Sequence, residues 1–427
     1  MPLDPQTGAI LRPCILLISP QNSYRIPPYL NAAKQLGIDA IVVSQGEYSL
    51  VSSVASGIHV NFSNANEAFN IITTALADQQ VLAVIGTDDQ TVTLSSRLSQ
   101  YFGLQHNDPA ASKLTRRKDL ARKHLAEKSH SDVCIHIPAY KKIAINILMQ
   151  EQYTSVEFPC VIKPLSLSGS RGVIKAANPD ELLKACIQID TILEREGSTG
   201  DERTHVIVEH YIPGYEYAYE GLLCDGELTR LALFDKPDLM EGPYFEETYY
   251  ITPSRLDDST QTQIHQAVQQ ACDIYGLKQG PVHAEVRLFQ GQVWLMEMAS
   301  RTIGGDCGQL IEFVTGKTIE MLVIEQAMGK DIEIPQARYA AGVMMMPAQE
   351  HGILRRVEGI LAANKIAGIE KIEVTIPTGY EIMPLPEGFS YLGFIFAKAA
   401  EPAQVEQALR QAWANLKIVT SPVLPVI

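Results

Sequence analysis

The sequence predicts an α/β fold at its N-terminus and an α+β arrangement in the rest of the chain. At 427 residues the chain is too long for one hydrophobic core, so two or three packed domains are expected. The first hundred residues alternate short apolar runs with amphipathic stretches, which indicates βαβ units and a parallel sheet. Strand patterns with glycine-rich turns follow to about residue 299, and a third region begins beyond Gly329.

The N-terminal region contains six segments with clear periodicity. Strands are predicted at 14–18, 40–43 and 81–85, and helices near 26–36, 67–76 and 90–102. No GxGxxG motif follows the first strand, so a dinucleotide site is not indicated. The third strand ends at Gly86-Thr87-Asp88-Asp89, where an open α/β sheet usually presents its ligand crevice. A cap of the next helix is the alternative role for these aspartates.

The boundary between the first and second regions lies at Asn107-Asp108-Pro109, which interrupts the periodicity. A charged helix over 111–128 opens the second. The third region carries predicted strands near 341–346, 372–376 and 392–398 and a predicted helix near 403–416.

Charge and cysteine usage limit the class of protein. The formal net charge of -14 makes nucleic acid an unexpected partner, because phosphate-backbone binders carry basic surfaces. The start Met1-Pro2-Leu3-Asp4-Pro5 lacks the basic and apolar parts of a signal peptide, and no run of about 18 apolar residues occurs. The seven cysteines show no metal-like spacing, and we expect buried thiols in a reducing compartment. The sequence therefore predicts a cytoplasmic protein that does not span a membrane.

The most informative pattern is a β-hairpin near residue 290. Two alternating strands flank a three-residue loop, 290–292. If Phe289 pairs with Val293 across the loop, the antiparallel register pairs Glu285 with Glu297. The hairpin thus predicts two carboxylates that face each other.

Like charges directly opposite each other in a sheet repel, so this pair needs cationic neighbours or a bound cation. Mg²⁺ fits, because proteins usually hold it with one or two carboxylates while water and substrate phosphates complete its octahedron. Arg301 lies four residues beyond Glu297 and would point at whatever the metal holds if the strand continues. In the alternative, Arg287 and Arg301 neutralise an exposed acidic pair without a metal.

A lysine near the end of an apolar strand is the second signal. Lys163 follows the run 158–162, and a buried lysine is costly unless an anion compensates it. The small-residue loop 168–172 can turn backbone N–H groups toward a phosphate and can close as a lid over ATP. Taken alone, the loop could equally be a surface hairpin.

The third signal is a strand that runs into a turn and a second strand. The apolar residues 206–208 lead into 209–216 and then into 217–224. Such a link between two lobes offers backbone N–H and C=O groups to an adenine edge, while a following acid accepts hydrogen bonds from ribose hydroxyls. An ordinary β-turn with solvated glutamates is the alternative.

In this order the segments resemble the ATP-grasp superfamily. Residues 118–125 match its K-x-x-x-R-x-x-L helix, and the resemblance implies that Lys118 contacts the ATP phosphates. Lys163 resembles the second nucleotide lysine and is also expected to act in catalysis. The other implied nucleotide contacts are Ser168, Gly169, Ser170 and Gly172 in the loop, Glu209, Tyr211 and Ile212 in the adenine hinge, and Glu216 as the ribose-binding acid.

The facing carboxylates are part of the same resemblance. Glu285 and Glu297 match the two metal-bridging glutamates of the family, and Arg301 matches the arginine that steadies the anionic intermediate. Many relatives have asparagine two residues after the second glutamate, where this chain has Ala299, which puts full occupancy of a second metal site in question. The implied cofactors are ATP and Mg²⁺, with Mn²⁺ as a substitute ion.

Within the superfamily the chain looks similar to the L-amino-acid ligase-like branch, which makes dipeptides or related amides. The likeness is carried by 233–237, by 243–248 with Thr252-Pro253, and by 301–306. The implied fold is an ATP-grasp fold with an N-terminal Rossmann-like parallel-sheet domain and a C-terminal α+β region. Its expected parts are the first domain at 1–110, the ATP-grasp domain at 111–330 (small lid lobe about 135–208, hinge about 209–216, large lobe to 330), and a C-terminal region at 331–427 packing on the large lobe.

The resemblance implies an ADP-forming ligase that activates a carboxylate as an acyl phosphate and joins it to an amine, with amino acids as the expected substrates. A bicarbonate-using carboxylase and an inactive nucleotide-binding regulator are the alternatives. Glu246 and Glu247 are either contacts for the substrate ammonium or solvated loop acids, and His283 is either a general base or, as we expect, a packed strand histidine. The expected partners are a small-molecule carboxylate and amine, and a homodimer is the default oligomer.

Overall fold

The computed structural model describes residues 12–21, 23–45, 57–128, 134–150, 156–388 and 391–423. The first five residues, on which the prediction about a signal peptide rests, lie outside these ranges. Within them the architecture is α/β with mixed and antiparallel sheets, so the predicted fold class is confirmed.

The N-terminal sheet is parallel and has the strand order β3-β2-β1-β4. Its elements and the helices around it are β1 (Cys14–Ser19), α1 (Ile26–Gln35), β2 (Asp39–Gln45), β3 (Gly57–Val60), α2 (Ala65–Ala75), β4 (Val81–Gly86) and α3 (Val92–Tyr101). Every residue of β1 is buried, which explains its uninterrupted apolar sequence, since a strand covered on both faces needs no polar alternation. The turn between β4 and α3 ends at the N-cap residue Thr91, and the side chains of Asp88 and Asp89 do not cap the helix.

The predicted charged helix over 111–128 is two helices. These are α4 (Pro109–Leu114) and α5 (Lys118–Lys128). The break allows the backbone N–H of Lys118 to donate to the carbonyl of Leu165 at 2.9 Å, which ties the start of α5 to the end of a neighbouring strand. A single helix would have used that N–H internally.

A small lobe follows, built on a four-stranded sheet with the order β6-β9-β7-β8. The segment contains β5 (Ile135–His136), β6 (Tyr140–Ala144), α6 (Ile145–Met149), β7 (Cys160–Pro164), β8 (Ile174–Ala176), α7 (Pro179–Arg195), α8 (Gly200–Thr204) and β9 (His205–His210). Helix α7 begins with Asn178, which caps the backbone N–H of Glu181, and with Pro179 at its first turn. Its apolar stripe, including Leu182 and Ile189, is buried in the core of this lobe.

The largest sheet has nine strands in the order β17-β19-β15-β12-β11-β10-β13-β14-β5. Its central part comprises β10 (Glu216–Cys224), β11 (Glu227–Asp235), β12 (Tyr249–Thr252), α9 (Asp258–Tyr275), β13 (Gly280–Phe289), β14 (Gln292–Ala299), α10 (Gln309–Thr315) and α11 (Ile319–Ala327). The C-terminal region adds β15 (Ala340–Met346), β16 (Gly352–Glu358), α12 (Ile360–Ala363), β17 (Ile369–Val374), β18 (Glu381–Ile382), β19 (Gly393–Ala399), α13 (Pro402–Ala414) and β20 (Lys417–Ser421). Strands β15, β17 and β19 extend the large sheet, while β18, β16 and β20 form a separate three-stranded sheet.

The connection between β11 and β12, residues 236–248, crosses to the small lobe. The backbone N–H of Lys175 on β8 donates to the carbonyl of Pro243 at 2.8 Å, and its ammonium donates to the carbonyl of Glu241 at 2.7 Å. Ile174 and Tyr244 form an antiparallel bridge beside these bonds. We call residues 236–248 the cross-lobe loop.

Two further sequence expectations are tested by burial. All seven cysteines are free thiols, but Cys134 and Cys224 are exposed, so the expectation that all are buried was wrong. Cys224 is exposed because it ends β10 at a surface turn. None of the helices in the described ranges combines the length and the apolar character needed to cross a membrane.

Candidate active site

A cavity of about 760 Å³ lies where the N-terminal sheet, the small lobe and the large sheet meet. Most of the predicted site residues line it. They are Lys163, Ser168, Gly169, Ser170, Glu209, Tyr211, Ile212, Glu216, Glu285, Glu297 and Arg301. Lys118 and Gly172 stand just behind this lining, since the Lys118 ammonium donates to the carbonyl of Leu167 at 2.6 Å and Gly172 packs against Pro164.

The two predicted carboxylates face each other across the hairpin of β13 and β14. Glu285 and Glu297 are register partners, as predicted. The pairs nearer the turn are shifted by one residue, because Phe289 pairs with Gln292 and not with Val293. A β-bulge between 285 and 286 absorbs the difference, leaving Met296 as the extra residue on β14.

The bulge places two consecutive side chains, Met296 and Glu297, on the wall of the cavity. The carbonyl of Met296 accepts a hydrogen bond from Arg122 on α5 at 2.6 Å. A regular strand would have turned one of the two side chains to the opposite face. The bulge thus provides both an apolar and an anionic contact at the same level of the cavity.

Lysine ammonium groups stand beside both carboxylates. Lys118 lies 3.6 Å from an oxygen of Glu297, and Lys236 lies 3.1 Å from an oxygen of Glu285. Lys236 also contacts Glu216 at 2.8 Å and Glu247 at 2.5 Å, so three carboxylates surround one buried ammonium. We call Lys236, Glu216, Glu247 and Glu285 the acidic cluster.

The charges in the acidic cluster shift the pKa values of its members in opposite directions. Burial, together with the negative charge of Glu285, raises the pKa of Glu247 to about 8. The pKa of Glu285 is lowered well below its usual range; burial opposes this shift, but Lys236 and His283 outweigh it. The cluster therefore favours the ionised form of Glu285 and the neutral form of Glu247.

The donor set fits a hard divalent cation. Glu285 and Glu297 offer carboxylate oxygens from adjacent strands, and both side chains line the cavity. Oxygen ligands of this kind are those that Mg²⁺ prefers. Ala299, two residues further on, is buried and offers no oxygen from its side chain.

The nucleotide lysine predicted at position 163 has a buried counter-ion. Glu209 on β9 accepts from Lys163 at 2.6 Å and from Arg122 at 2.7 Å, and only 2% of Glu209 is exposed. Burial alone would raise the pKa of Glu209, but the two cations lower it to about 2. The carboxylate of Glu209 thus neutralises the two cations.

The rest of the predicted hinge is also tied into the protein. The carbonyl of Ile212 accepts from Arg287 at 2.7 Å, and the N–H of Tyr211 donates to the carbonyl of Pro159 at 3.1 Å. Glu216, the predicted ribose-binding acid, uses one oxygen for Lys236 and the other for Arg287. The alternative interpretation of the hairpin had Arg287 neutralising the Glu285–Glu297 pair. In the structure Arg287 neutralises Glu216 instead.

The loop 168–172 forms a turn over the cavity. Gly169, Ser170 and Gly172 all adopt positive φ angles, of 65°, 55° and 67°. Ser168 and Gly169 are exposed, and Ser170 accepts a backbone hydrogen bond from Val173 at 3.1 Å. The loop is thus held at its end while its small residues remain accessible to a ligand.

Arg301 lines the cavity, although β14 does not continue to it. The strand ends at Ala299, so the condition set for Arg301 in the sequence analysis is not met, and Arg301 belongs to an irregular segment. Its guanidinium contacts Asp89 of the N-terminal turn at 2.9 Å and the carbonyl of Thr302 at 2.9 Å.

His283 is a packed strand histidine. Its Nδ1 lies 3.1 Å from the fully buried carboxylate of Glu220, which also accepts the backbone N–H of Ile303 at 3.1 Å. Burial opposes protonation of His283, but Glu220 and Glu285 raise its pKa to about 9. An imidazole that is already protonated at neutral pH cannot accept a proton, so this geometry does not favour a general base.

Sequence reasoning did not single out Lys236 as a site residue, and it named Glu247 only as a contact for the substrate ammonium or a solvated loop acid. Lys236 follows the apolar strand β11, so the signal that singled out Lys163 was present there as well. Glu247 is largely buried and bonded to Lys236, unlike a solvated loop acid. Neither contact could be read from sequence spacing, because the cross-lobe loop brings Glu247 back to Lys236.

Two parts of the chain match known families. Residues 156–309 match the ATP-grasp domain, and residues 344–421 match the L-amino acid ligase C-terminal domain 2. The chain thus contains an ATP-grasp domain and an L-amino acid ligase C-terminal domain 2.

Relatives of this ATP-grasp chain are distant in sequence. Alanine–anticapsin ligase from Bacillus subtilis (strain 168) is 24% identical over 335 residues, covering 67% of this chain and 70% of the relative. The crystal structure of L-amino acid ligase from Bacillus licheniformis superposes with a TM-score of 0.78 at 20% identity, covering 96% of this chain and 100% of that one. The biotin carboxylase domain of Hydrogenobacter thermophilus 2-oxoglutarate carboxylase, solved with MgADP, has a TM-score of 0.65 at 17% identity, covering 95% and 90%. At these identities the two structures establish the ATP-grasp fold alone.

Proposed function

We propose that this ATP-grasp protein is an ATP-dependent carboxylate–amine ligase that joins small substrates, amino acids, through an acyl phosphate and releases ADP and phosphate. One observation carries the proposal: a single cavity brings together Lys163, the loop 168–172, the opposed Glu285 and Glu297, and Arg301. This set combines cations for phosphates, oxygens for a metal and a guanidinium for a carboxylate. The relatives named alanine–anticapsin ligase and dapdiamide A synthase support the same reaction class.

The first step transfers a phosphoryl group. A carboxylate oxygen attacks the γ-phosphorus of ATP, the bond between that phosphorus and the β,γ-bridging oxygen breaks, and ADP leaves. Two anions must approach each other, so the protein has to offset their charge. We assign this task to Lys118, Lys163 and the loop N–H groups on the nucleotide side, and to Arg301 on the carboxylate side.

Glu285 and Glu297 would hold Mg²⁺, or Mn²⁺ as a substitute. The ion would neutralise charge on the phosphate oxygens and fix their geometry. Lys236 donates to one oxygen of Glu285 at 3.1 Å and favours its ionised form.

The second step forms the amide bond. The amine nitrogen attacks the acyl carbon, the carbon–oxygen bond to phosphate breaks, and the nitrogen gives up a proton to the departing phosphate or to water. Arg301 would stabilise the negative charge on the tetrahedral intermediate, because its planar fork binds two oxygens at once.

All seven cysteines are free thiols, and we therefore place the reaction in the reducing cytoplasm.

A coupled ADP-release assay over pairs of amino acids, with mass spectrometry of the products, tests the proposal. We expect ADP release that requires two amino acids and a product lighter than their sum by one water. ADP release with bicarbonate and no amino acid would contradict the proposal and support a carboxylase. Tight ATP binding without ADP release across the whole panel would support a regulator instead.

A further inference from the structure

The turn after β4, residues 86–91, forms part of the cavity wall but has no role in the mechanism above. Thr87 and Thr91 are buried, and both bond within the turn. The hydroxyl of Thr91 donates to the carbonyl of Asp88 at 2.8 Å and accepts the N–H of Asp88 at 3.2 Å. These hydrogen bonds hold the turn in place, and the side chains of Asp88 and Asp89 line the cavity.

From this turn, the side chain of Asp89 contacts Arg301. Its carboxylate lies 2.9 Å from the guanidinium, and the two side chains are 18% and 12% exposed. A charge-assisted hydrogen bond in such a sheltered place is strong and directional. With the bond from Arg301 to the carbonyl of Thr302, this contact occupies two of the five guanidinium N–H groups, and the other three have no hydrogen-bond partner among the residues that the structure describes.

The segment that carries Arg301 depends on the N-terminal domain for its order. Residues 300–308 form neither helix nor strand. Arg25 donates from one nitrogen to the carbonyl of Thr302, to its hydroxyl and to the carbonyl of Ile303, at 2.9–3.1 Å. Arg25 is itself 3.5 Å from Asp88. Both carboxylates of the turn therefore act on one segment, Asp89 directly and Asp88 through Arg25.

We propose that Asp89 is a positioning residue for the ligase reaction, which fixes the Arg301 guanidinium so that its remaining N–H groups meet the substrate carboxylate. The inference rests on the proposed function. An arginine without a fixed partner samples many rotamers, and the negative charge of Glu297 also attracts Arg301. Asp89 keeps Arg301 away from Glu297, which leaves Glu297 available to the metal. The N-terminal domain is thereby a part of the catalytic unit.

The test compares two conservative variants with a neighbour on the same turn. Asp89→Asn keeps the size and removes the charge, Asp89→Glu keeps the charge and adds length, and Gln90→Ala changes an exposed residue beside it. We expect Asp89→Asn to lower kcat/KM for the carboxylate substrate by about 10- to 100-fold, while KM for ATP stays within about two-fold. Asp89→Glu should retain more activity than Asp89→Asn, and Gln90→Ala should match the wild type. A steric role for Asp89 would give the reverse order of Asn and Glu.

A double-mutant cycle with Arg301→Ala provides the second readout. If Asp89 acts through Arg301, Asp89→Asn costs nothing further in the Arg301→Ala background. Losses that multiply would overturn the inference, as would a crystal structure of Asp89→Asn with Arg301 in its wild-type place. Absence of ADP release by the wild type across all substrate pairs would refute the proposed function instead, and the crystal structure would still decide the role of Asp89.

Discussion

Glu297 stands opposite Glu285 and presents about a third of its side chain, 35%, to the cavity. Glu297→Gln preserves the shape of the side chain but removes the charge that a divalent cation needs. We expect ADP formation to fall by more than about 100-fold, while the melting temperature changes little because the group is not deeply buried. The exposed Glu333→Gln is the control and should keep wild-type activity. Wild-type turnover by Glu297→Gln would remove the basis for the metal assignment.

Glu209 belongs to a different class of residue, because its carboxylate is buried between two cations. Replacing it by glutamine leaves Arg122 and Lys163 uncompensated, and we expect a loss of about 3–5 kcal/mol in the free energy of unfolding at pH 7. The low pKa of Glu209, about 2, means that its stabilising effect is complete above its unfolded-state value and is lost as the pH falls. Urea unfolding should show the difference between wild type and variant shrinking from about pH 5 down to about pH 2.

Glu127→Gln is the matched control for this pH experiment. Glu127 is 62% exposed, and its contact with Lys123 is long, at 3.8 Å. Its removal should change the free energy of unfolding by less than about 0.5 kcal/mol at any pH. A pH-independent difference between wild type and Glu209→Gln would show that the carboxylate is not stabilised by its two cations.

The loop 168–172 depends on its glycines to different degrees. An added Cβ at Gly172 would lie 2.9 Å from Pro164, whereas nothing lies within 4 Å of the same atom at Gly169. Both residues have similar positive φ angles, so both alanine variants carry a strain of about 1–2 kcal/mol. Gly172→Ala should in addition displace the loop and raise KM for ATP several-fold more than Gly169→Ala. Equal KM values in steady-state assays would show that the loop does not need this close approach.

The hairpin of β13 and β14 shows how far periodicity predicts an element. Alternation correctly predicted that Glu285 faces Glu297, but it could not predict the bulge at Met296. The loop is one residue shorter than expected, and the bulge restores the register before the carboxylates. Alternation is blind to such an insertion, because a bulge is stabilised by a tertiary contact, here the bond from Arg122 to the carbonyl of Met296.

At the level of the whole molecule, the parallel sheet and the order of the motifs could be predicted, but the contacts between domains could not. Arg25 and Thr302 are 277 residues apart in the chain, and neither carries a local signal. Asp89 and Arg301 were each singled out from the sequence, but nothing in it predicted that they contact each other. The sequence predicted a C-terminal region that packs on the large lobe, but it did not predict that three strands of this region extend the large sheet.

This shared sheet leads to a prediction about solubility. Val343 on β15 is fully buried, whereas Val374 on the edge strand β17 is 36% exposed. Val343→Asp places an unpaired charge inside the joint between the two regions and should leave little soluble protein. Val374→Asp should remain soluble with a nearly unchanged melting temperature. Comparable soluble yields of the two variants would show that the C-terminal strands are not required for folding.

The cross-lobe loop has a mechanical consequence. Its two ends supply Lys236 and Glu247 to the acidic cluster, while its middle is bonded to β8 of the small lobe. If the small lobe swings outward to admit or release a nucleotide, it must either break the bonds at Pro243 and Glu241 or drag the loop along. In the second case the outward movement of the small lobe displaces Lys236 and Glu247, which contact Glu285. Access to the cavity and the affinity of Glu285 for a metal would then change together.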